Sequence, residues 1–286
     1  MVEKKPAVIN DYIFKKIFSK KGNESILKDF LISVLNIPIQ KVETRAEVSL
    51  ERQLEENKLG RLDILAKLDD NTIVNIEVQI LNKYNFIDRT MYYWSGNYYN
   101  ELRAGEDYKE VKKVIAINIL DYEIFEEGPY HEIARIRRDF KNKILTDKME
   151  LHFIQIPKFL KENRGTKTKL EQWMQFISQK DEKEVELAMK ENEEIKKANE
   201  EYEYLTGDEA ERRLALLREE AIRDEKTMLK GSREEGIEIG RKEGKKENKI
   251  EIAKNMLKER MDIRTISRLT NLTIEEIENL KENNKQ

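Results

Sequence analysis

The first 36 residues place apolar side chains three and four positions apart, which is the spacing of one face of a helix. This pattern covers residues 11–36 and is interrupted by the polar triplet at positions 21–23, which contains Gly22. A glycine within a polar stretch commonly ends a helix. The chain therefore predicts two packed helices at its start.

The following segments shorten to a period of two and are rich in β-branched residues, as half-buried strands are. Helical spacing then returns with an aromatic run, and two further short apolar segments follow. The predicted strands are residues 42–50, 61–68, 72–80, 113–120 and 151–156, and the predicted helix between them is 87–102. Up to about residue 180, this order predicts an α/β domain with one mixed sheet flanked by helices.

Beyond residue 180 the chain becomes highly charged, with intermittent apolar positions that we expect to be too few for a core. Glu and Lys at helical spacing predict long helices with ion pairs between successive turns. Glycines at positions 236, 240 and 244 then precede an amphipathic tail, and they indicate either dimerisation or a flexible joint. We predict a domain at 1–180, a charged helical or coiled-coil region at 181–235, and a small helical tail at 236–286 that forms a homo-oligomer.

Composition limits the classes of function. The 286 residues include 54 basic and 57 acidic side chains, a net charge of -3, so any DNA contact has to be local. The absence of cysteine excludes disulfides and thiolate zinc sites. Neither a signal peptide nor an apolar stretch of about 20 residues is evident, which predicts a soluble, cytoplasmic protein without a membrane partner.

Two acidic residues lie side by side if the second and third predicted strands form a hairpin. Closing that hairpin over the loop 69–71 makes the numbers of opposite residues sum to 140, so Asp63 lies opposite Glu77. Opposite residues project to one face about 5 Å apart, and Gln79 projects there too. Two carboxylates on one face suit Mg²⁺, which takes oxygen ligands. The alternative is a solvated charged face, with Asp63 near Arg61 or Lys67.

Several ordered motifs carry a resemblance to a known family. Gly60-Arg-Leu-Asp-Ile-Leu-Ala followed by Asn75-Ile-Glu-Val-Gln resembles the core of the PD-(D/E)XK nuclease superfamily, in its branch of recombination-promoting nucleases and related transposases. Segments beginning at Asp11, Arg89, Gly105, Val114 and Ile156 agree with that branch. The resemblance implies a restriction-endonuclease-like fold and covers most of residues 10–160.

The resemblance assigns a role to each residue of the trio. Asp63 matches the first metal-ligating acid, Glu77 the second, and Gln79 the position where the superfamily name has lysine. Glutamine is neutral and orients only by hydrogen bonds, so the missing positive charge has to come from another group or from the metal ion. Candidates for that charge are Lys15, Lys16, Lys67 and Arg89. Asp11 also matches a family segment, although it is equally well explained as the N-cap of the first helix.

Four basic residues are the candidate DNA contacts: Lys15, Arg89, Arg135 and Arg138. The last two belong to the basic stretch 135–143, for which a solvated surface is the equal alternative. His131 and His152, the two histidines of the chain, are interpreted as surface and strand residues rather than metal ligands. The tyrosines at 92–99 are interpreted as packing of their helix on the sheet rather than as base-stacking groups.

The end of the chain shows the pattern of a helix-turn-helix, with Thr273 and Glu276 as a capping box for the last helix. That last helix carries Glu275, Glu276, Glu278 and Glu282, which would repel phosphates. We therefore expect the tail to pack against a partner chain or the long helix instead of binding DNA.

The resemblance and the acidic pair together predict a Mg²⁺-dependent DNA endonuclease linked to recombination, mobile elements or phage defence. A second hypothesis is a catalytically inactive nuclease-fold protein that binds DNA or regulates, because Gln79 replaces lysine. A third is a coiled-coil scaffold anchored by its N-terminal domain.

Overall fold

The computed structural model describes residues 5–44, 64–82, 85–102, 105–162 and 166–283. Asp63, the first residue of the predicted acidic pair, lies outside these ranges.

The two predicted N-terminal helices are present, and their ends follow local rules. Helix α1 (Asp11–Ser19) is capped by the side chain of Asn10, which accepts hydrogen bonds from two backbone amides of the first turn. Gly22, with φ of 100°, lies between α1 and α2 (Glu24–Leu35) in a conformation that favours glycine. Asn36 ends α2 in the left-handed region, as a C-cap residue often does.

A mixed sheet forms the centre of the fold. In the described ranges it has six strands in the order β1-β2-β3-β4-β8-β5. Their bounds are β1 Val42–Thr44, β2 Ile64–Leu68, β3 Ile73–Gln79, β4 Val114–Leu120, β5 His131–Ala134 and β8 Met149–Gln155. Strands β3, β4 and β8 are parallel, while β1, β2 and β5 pair antiparallel with their neighbours. This confirms the predicted α/β class with one mixed sheet.

The register of the β2–β3 hairpin confirms the arithmetic from the sequence. Ile64 pairs with Ile76 and Leu65 with Asn75, so the residue numbers sum to 140. The loop closes with a hydrogen bond from the amide of Leu68 to the carbonyl of Thr72. A shift of the register by one residue would set the apolar face of β2 against the polar face of β3.

The two faces of the sheet pack against different helices. Alternate apolar residues of β2, β3 and β4 join α1 and α2 in the main core, as predicted. The other face of β4 and β8 packs against Phe86 and Trp94 of α3 (Phe86–Asn100). An odd-numbered residue of β3 such as Glu77 therefore lies on the α3 face, because successive side chains alternate.

Helices that follow the sheet complete the main core. They are α4 Ile156–Glu162, α5 Lys169–Ser178, α6 Glu182–Glu191 and α7 Glu193–Gly207. Contrary to our expectation for the segment after 180, its apolar positions are core residues: Val185, Ala188, Ile195, Ala198, Tyr202 and Leu205 are buried in the main cluster. Few apolar residues suffice there, because each projects onto a surface that the rest of the fold already supplies.

The chain divides into two compact units, Met1–Arg223 and Asp224–Gln286. The predicted boundaries at 180 and 235 thus differ from the structural one. A 50-residue helix, α8 (Glu209–Lys258), contributes residues to both units. The second unit also contains α9 (Ile263–Thr270) and α10 (Ile274–Asn283), which share a small apolar cluster with the end of α8. Thr273 and Glu276 form the predicted capping box.

The region between β4 and β8 holds elements that the sequence did not predict. Besides β5, a separate two-stranded ribbon consists of β6 (Arg137–Arg138) and β7 (Lys143–Ile144). The 3₁₀ turn Phe140–Asn142 joins β6 to β7, and another, Tyr108–Glu110, precedes β4. Among the described residues, no helix has the length and apolarity needed to cross a bilayer.

Candidate active site

Glu77 is a buried carboxylate on the central parallel part of the sheet. It lies on β3, pairs in register with Asn118 of β4, and is only 2% exposed. Transfer of a carboxylate from water into such a position is costly unless other groups compensate its charge. The environment of Glu77 therefore has to contain a compensating group.

Arg89 of α3 supplies that compensation. Its Nη2 donates a hydrogen bond of 3.0 Å to Oε1 of Glu77 and one of 2.7 Å to Oε1 of Gln79. The guanidinium carbon lies 5.4 Å from the ring centroid of Phe86, one turn earlier in α3. One cation thus joins the two predicted site residues of β3 that the structure describes.

The neighbours of this cluster in the sheet are neutral. Asn118 accepts from the hydroxyl of Thr90 at 3.4 Å and donates to the carbonyl of His152 at 3.1 Å. Its amide is therefore held by α3 on one side and β8 on the other. Nε2 of Gln79 donates to the carbonyl of Val78 at 3.2 Å, which directs the amide oxygen toward Arg89.

Tyr122, just after β4, is a site neighbour that the sequence did not suggest. Its hydroxyl is buried and has no hydrogen-bond partner within the described ranges. Burial raises the pKa of Tyr122 well above its usual value; the charge of Arg89 opposes this rise and the charge of Glu77 adds to it. The phenol therefore remains protonated at neutral pH and can donate a hydrogen bond close to the Glu77–Arg89 pair.

The oxygen ligands at this cluster are of the kind that Mg²⁺ takes. Glu77 contributes a carboxylate and Gln79 an amide oxygen, while the second predicted ligand, Asp63, is outside the described residues. Within the described residues, no group of three His, Cys, Asp or Glu side chains is arranged to hold a metal. The described part of this cluster thus offers one carboxylate and one amide oxygen, and both accept hydrogen bonds from Arg89.

The four predicted DNA contacts occupy different environments. Arg89 belongs to the cluster just described, and Lys15 is buried within α1. Arg135 is half-buried and donates from Nε to Glu150 at 2.9 Å. Arg138 is exposed on β6. The structure thus brings Arg89 to Glu77 and Gln79, and leaves Arg138 as the openly exposed member of the set.

Two other expectations concerned α1. Asp11 is not the N-cap, because Asn10 fills that role; its carboxylate instead receives two hydrogen bonds from Nε and one from Nη2 of Arg218. Lys16, a candidate for the missing charge, contacts Glu211 at 3.0 Å. Both side chains tie α1 to α8.

The two histidines form a hydrogen-bonded pair, and His152 is fully buried on β8, in agreement with its place in the predicted strand 151–156. Nε2 of His152 lies 2.8 Å from Oε1 of Glu150, and its Nδ1 lies 2.9 Å from Nε2 of His131. An ionised carboxylate only accepts, so His152 donates from Nε2 and accepts at Nδ1 from His131. Burial, and secondarily the proximity of His152, lowers the pKa of His131 to about 4.

The aromatic run of α3 only partly packs on the sheet. Trp94 donates from its indole nitrogen to the carbonyl of Val114 and stacks on Tyr98. Tyr92, Tyr93 and Tyr99 are exposed, so the packing interpretation is wrong for these three.

Comparison with known families assigns both parts of the chain. The model described as PD-(D/E)XK nuclease family transposase matches residues 8–232. The model described as the C-terminal HTH domain of the Rpn/YhgA-like nuclease family matches residues 246–282. No curated protein and no solved structure matches the chain significantly.

The second match corrects our interpretation of the tail. The expectation that the acidic last helix excludes a helix-turn-helix is wrong: α9, the turn at Asn271 and α10 have that architecture, and the family model covers them. Acidic charge on α10 opposes contact between that helix and DNA phosphates, but it does not decide the fold of the tail. The fold of the tail depends on its apolar residues, which pack against α8.

The first match spans well over half of the chain and contains the hairpin, Glu77, Gln79 and Arg89. The chain therefore belongs to the PD-(D/E)XK nuclease family transposases, with the C-terminal HTH domain of Rpn/YhgA-like nucleases.

Proposed function

We propose that this protein is a Mg²⁺-dependent DNA endonuclease with its active site at Glu77, Gln79 and Asp63. The observation that carries the proposal is the double contact of Arg89, which places a positive charge on the residue that stands where the superfamily has lysine. The family supports nuclease chemistry in general, and members of this superfamily generally use divalent ions.

In this proposal, Glu77 and Asp63 are the metal ligands. Asp63 directly precedes β2 in the sequence. The β2–β3 pairs that follow it have residue numbers that sum to 140, and on that basis we assign Asp63 opposite Glu77. Bound Mg²⁺ would activate water and offset charge on the scissile phosphate. Gln79 orients the attacking water, and Arg89 orients Gln79 and adds the charge that glutamine lacks. Arg135, Arg138 and Lys15 remain proposed DNA contacts.

The biological setting is part of the same proposal. A nuclease family with transposase members and an HTH domain supports a role in recombination, mobile elements or phage defence. Homo-oligomerisation through the C-terminal helices would pair two active sites for double-strand cuts. A cytoplasmic location stays a prediction.

The test measures cleavage of supercoiled plasmid with Mg²⁺ or with chelator. Asp63→Asn and Glu77→Gln should each abolish nicking, while Glu110→Gln, an exposed acid of a 3₁₀ turn, should leave it unchanged. Nicking that persists in both site variants would refute the assignment.

A charge-relocation pair tests the role of Arg89. Gln79→Lys alone places two cations side by side and should lower activity, whereas Gln79→Lys combined with Arg89→Gln should restore much of it. A double variant as inactive as Arg89→Gln alone would show that position, and not charge, is what Arg89 contributes.

A second candidate is an inactive nuclease-fold protein that binds DNA. It is favoured by the same contact, because a guanidinium bonded to Glu77 and Gln79 competes with a metal ion for those oxygens. This candidate predicts DNA binding without cutting, no Mg²⁺ binding to the native protein by calorimetry, and Mg²⁺ binding to the Arg89→Gln variant.

A further inference from the structure

The β6–β7 ribbon stands apart from the main sheet. Arg137 pairs with Ile144 and Arg138 with Lys143, and the 3₁₀ turn Phe140–Asn142 joins the two strands. Every residue from position 136 to 145 is exposed. The proposed function names one residue of this ribbon, Arg138, as a DNA contact and gives the rest of it no role.

The ribbon concentrates positive charge. Residues 135–143 contain five basic side chains and one acidic one, hence a net charge of +4, in a chain whose net charge is -3. Arg135 is bound to Glu150, and Arg137 donates to the carbonyl of Asn142 at 2.9 Å. Arg138, Lys141 and Lys143 have no ion pair in the described part of the chain, so their charges face solvent.

An exposed aromatic ring lies at the tip between these cations. Phe140 is 75% exposed, and Nζ of Lys141 lies 5.4 Å from its ring centroid. Ile136, Ile144 and Leu145 are also exposed. Because successive strand residues alternate, Ile136 and Leu145 share a face with Arg138 and Lys143, while Ile144 lies on the other face. The tip of the ribbon thus presents an aromatic ring among cations.

The backbone holds the tip in an uncommon conformation. Lys141 and Asn142 have φ of 60° and 47°, two successive left-handed residues without glycine. Such residues cost free energy and occur preferentially at functional sites. The hydrogen bond from Arg137 to Asn142 braces this turn, so Phe140 is presented on a fixed support.

We propose that the ribbon binds distorted DNA: Arg138, Lys141 and Lys143 contact phosphates, and the ring of Phe140 stacks on the face of an unstacked or unpaired base. This inference rests on the proposed function, because it takes DNA as the substrate. A two-stranded ribbon fits a DNA groove, and apolar side chains that enter between base steps kink the duplex. Aromatic rings also stack on bases of single strands. Stacking on a base face is common to both cases.

Binding of the full chain, measured in chelator to prevent cutting, tests the inference. The ligands are a fluorescent duplex and the same duplex with a short central single-stranded gap, each carrying 2-aminopurine at the centre. Phe140→Ala should weaken binding about 5- to 100-fold and remove the change in 2-aminopurine fluorescence. Loss on the duplex indicates a wedge, and loss on the gapped DNA alone indicates stacking on an unpaired base.

Two variants separate charge from stacking. Lys141→Gln with Lys143→Gln should lower the slope of log affinity against log salt by about 2, with the 2-aminopurine response retained. Tyr108→Ala, which removes a ring that is 85% exposed on another loop, is the matched control and should change neither quantity.

Unchanged DNA binding and unchanged 2-aminopurine fluorescence in Phe140→Ala would overturn the inference. So would a variant that binds DNA normally but no longer self-associates in sedimentation, because the ribbon would then join two copies of the chain. Wild-type protein that binds through Phe140 but cuts no plasmid supports the ribbon and refutes the endonuclease. Wild-type protein that cuts plasmid, together with a Phe140→Ala variant whose DNA binding and fluorescence change are unaltered, refutes the role of the ribbon but not the endonuclease.

Discussion

Replacement of Arg89 by methionine removes the charge that compensates Glu77. The carboxylate is 2% exposed, and the pair distance is 3.0 Å, so the variant leaves a buried charge without this partner. Breaking a buried ion pair from one side costs about 3–5 kcal/mol. The Arg89 side chain is 22% exposed, so water screens part of the interaction and we expect a cost at or just below the bottom of that range, about 2–3 kcal/mol.

The assay is thermal or urea unfolding of the single variants and of a double-mutant cycle with Glu77→Gln. A cost of about 2–3 kcal/mol corresponds to a fall in Tm of roughly 5–10 °C for a unit of this size. Glu77→Gln in the Arg89→Met background should recover at least half of the loss, since no buried charge remains. Arg89→Lys is the control that keeps the charge. A Tm within about 1 °C of wild type for Arg89→Met, or strictly additive single effects, would refute the reasoning.

Three further predictions concern stability. Burial lowers the pKa of His131 to about 4, so the unfolded chain binds the imidazole proton more tightly than the folded chain does. The free energy of unfolding should therefore fall by about 3 kcal/mol between pH 6.5 and pH 4. His131→Gln should flatten this part of the pH–stability curve. Below pH 4.5 the lowered pKa of Glu150, about 2, continues the decline in the wild type. Asp29→Ala removes the acceptor of the buried Trp173 indole, 3.0 Å away, and should cost about 3 kcal/mol in urea unfolding; a loss under 1 kcal/mol would contradict this. Thr273→Ala removes a cap and should speed hydrogen exchange in α10 by roughly fivefold, a cost of about 1 kcal/mol, without changing exchange in the first unit.

Local sequence patterns predict the β2–β3 hairpin and its register. The loop 69–71 and the strict alternation of β2 and β3 admit one pairing that buries the apolar face, and Ile64 does pair with Ile76. The two N-terminal helices and the capping box of α10 were predictable for the same reason, because helix ends and turns depend on residues within four positions of each other.

The acidic tail shows where such reasoning misleads. Charge on α10 argued against the helix-turn-helix, yet the buried positions Ile266, Leu272 and Ile277 are what hold that motif together. Likewise, the sparse apolar residues after position 180 predict helices that lack a core. A single buried residue per turn is nevertheless enough when the helix packs against a core that other parts of the chain form.

The sequence by itself determined the nuclease-like motifs, the residues Glu77 and Gln79, and the face of the sheet they share, because strand alternation is a local property. Only the tertiary structure decided that Arg89 is the cation at Gln79, that Asp11 pairs with Arg218, and that Phe140 stands exposed at the tip of a basic ribbon. These contacts depend on how whole elements pack against one another, and no periodicity in the chain encodes the position of one packed element relative to another.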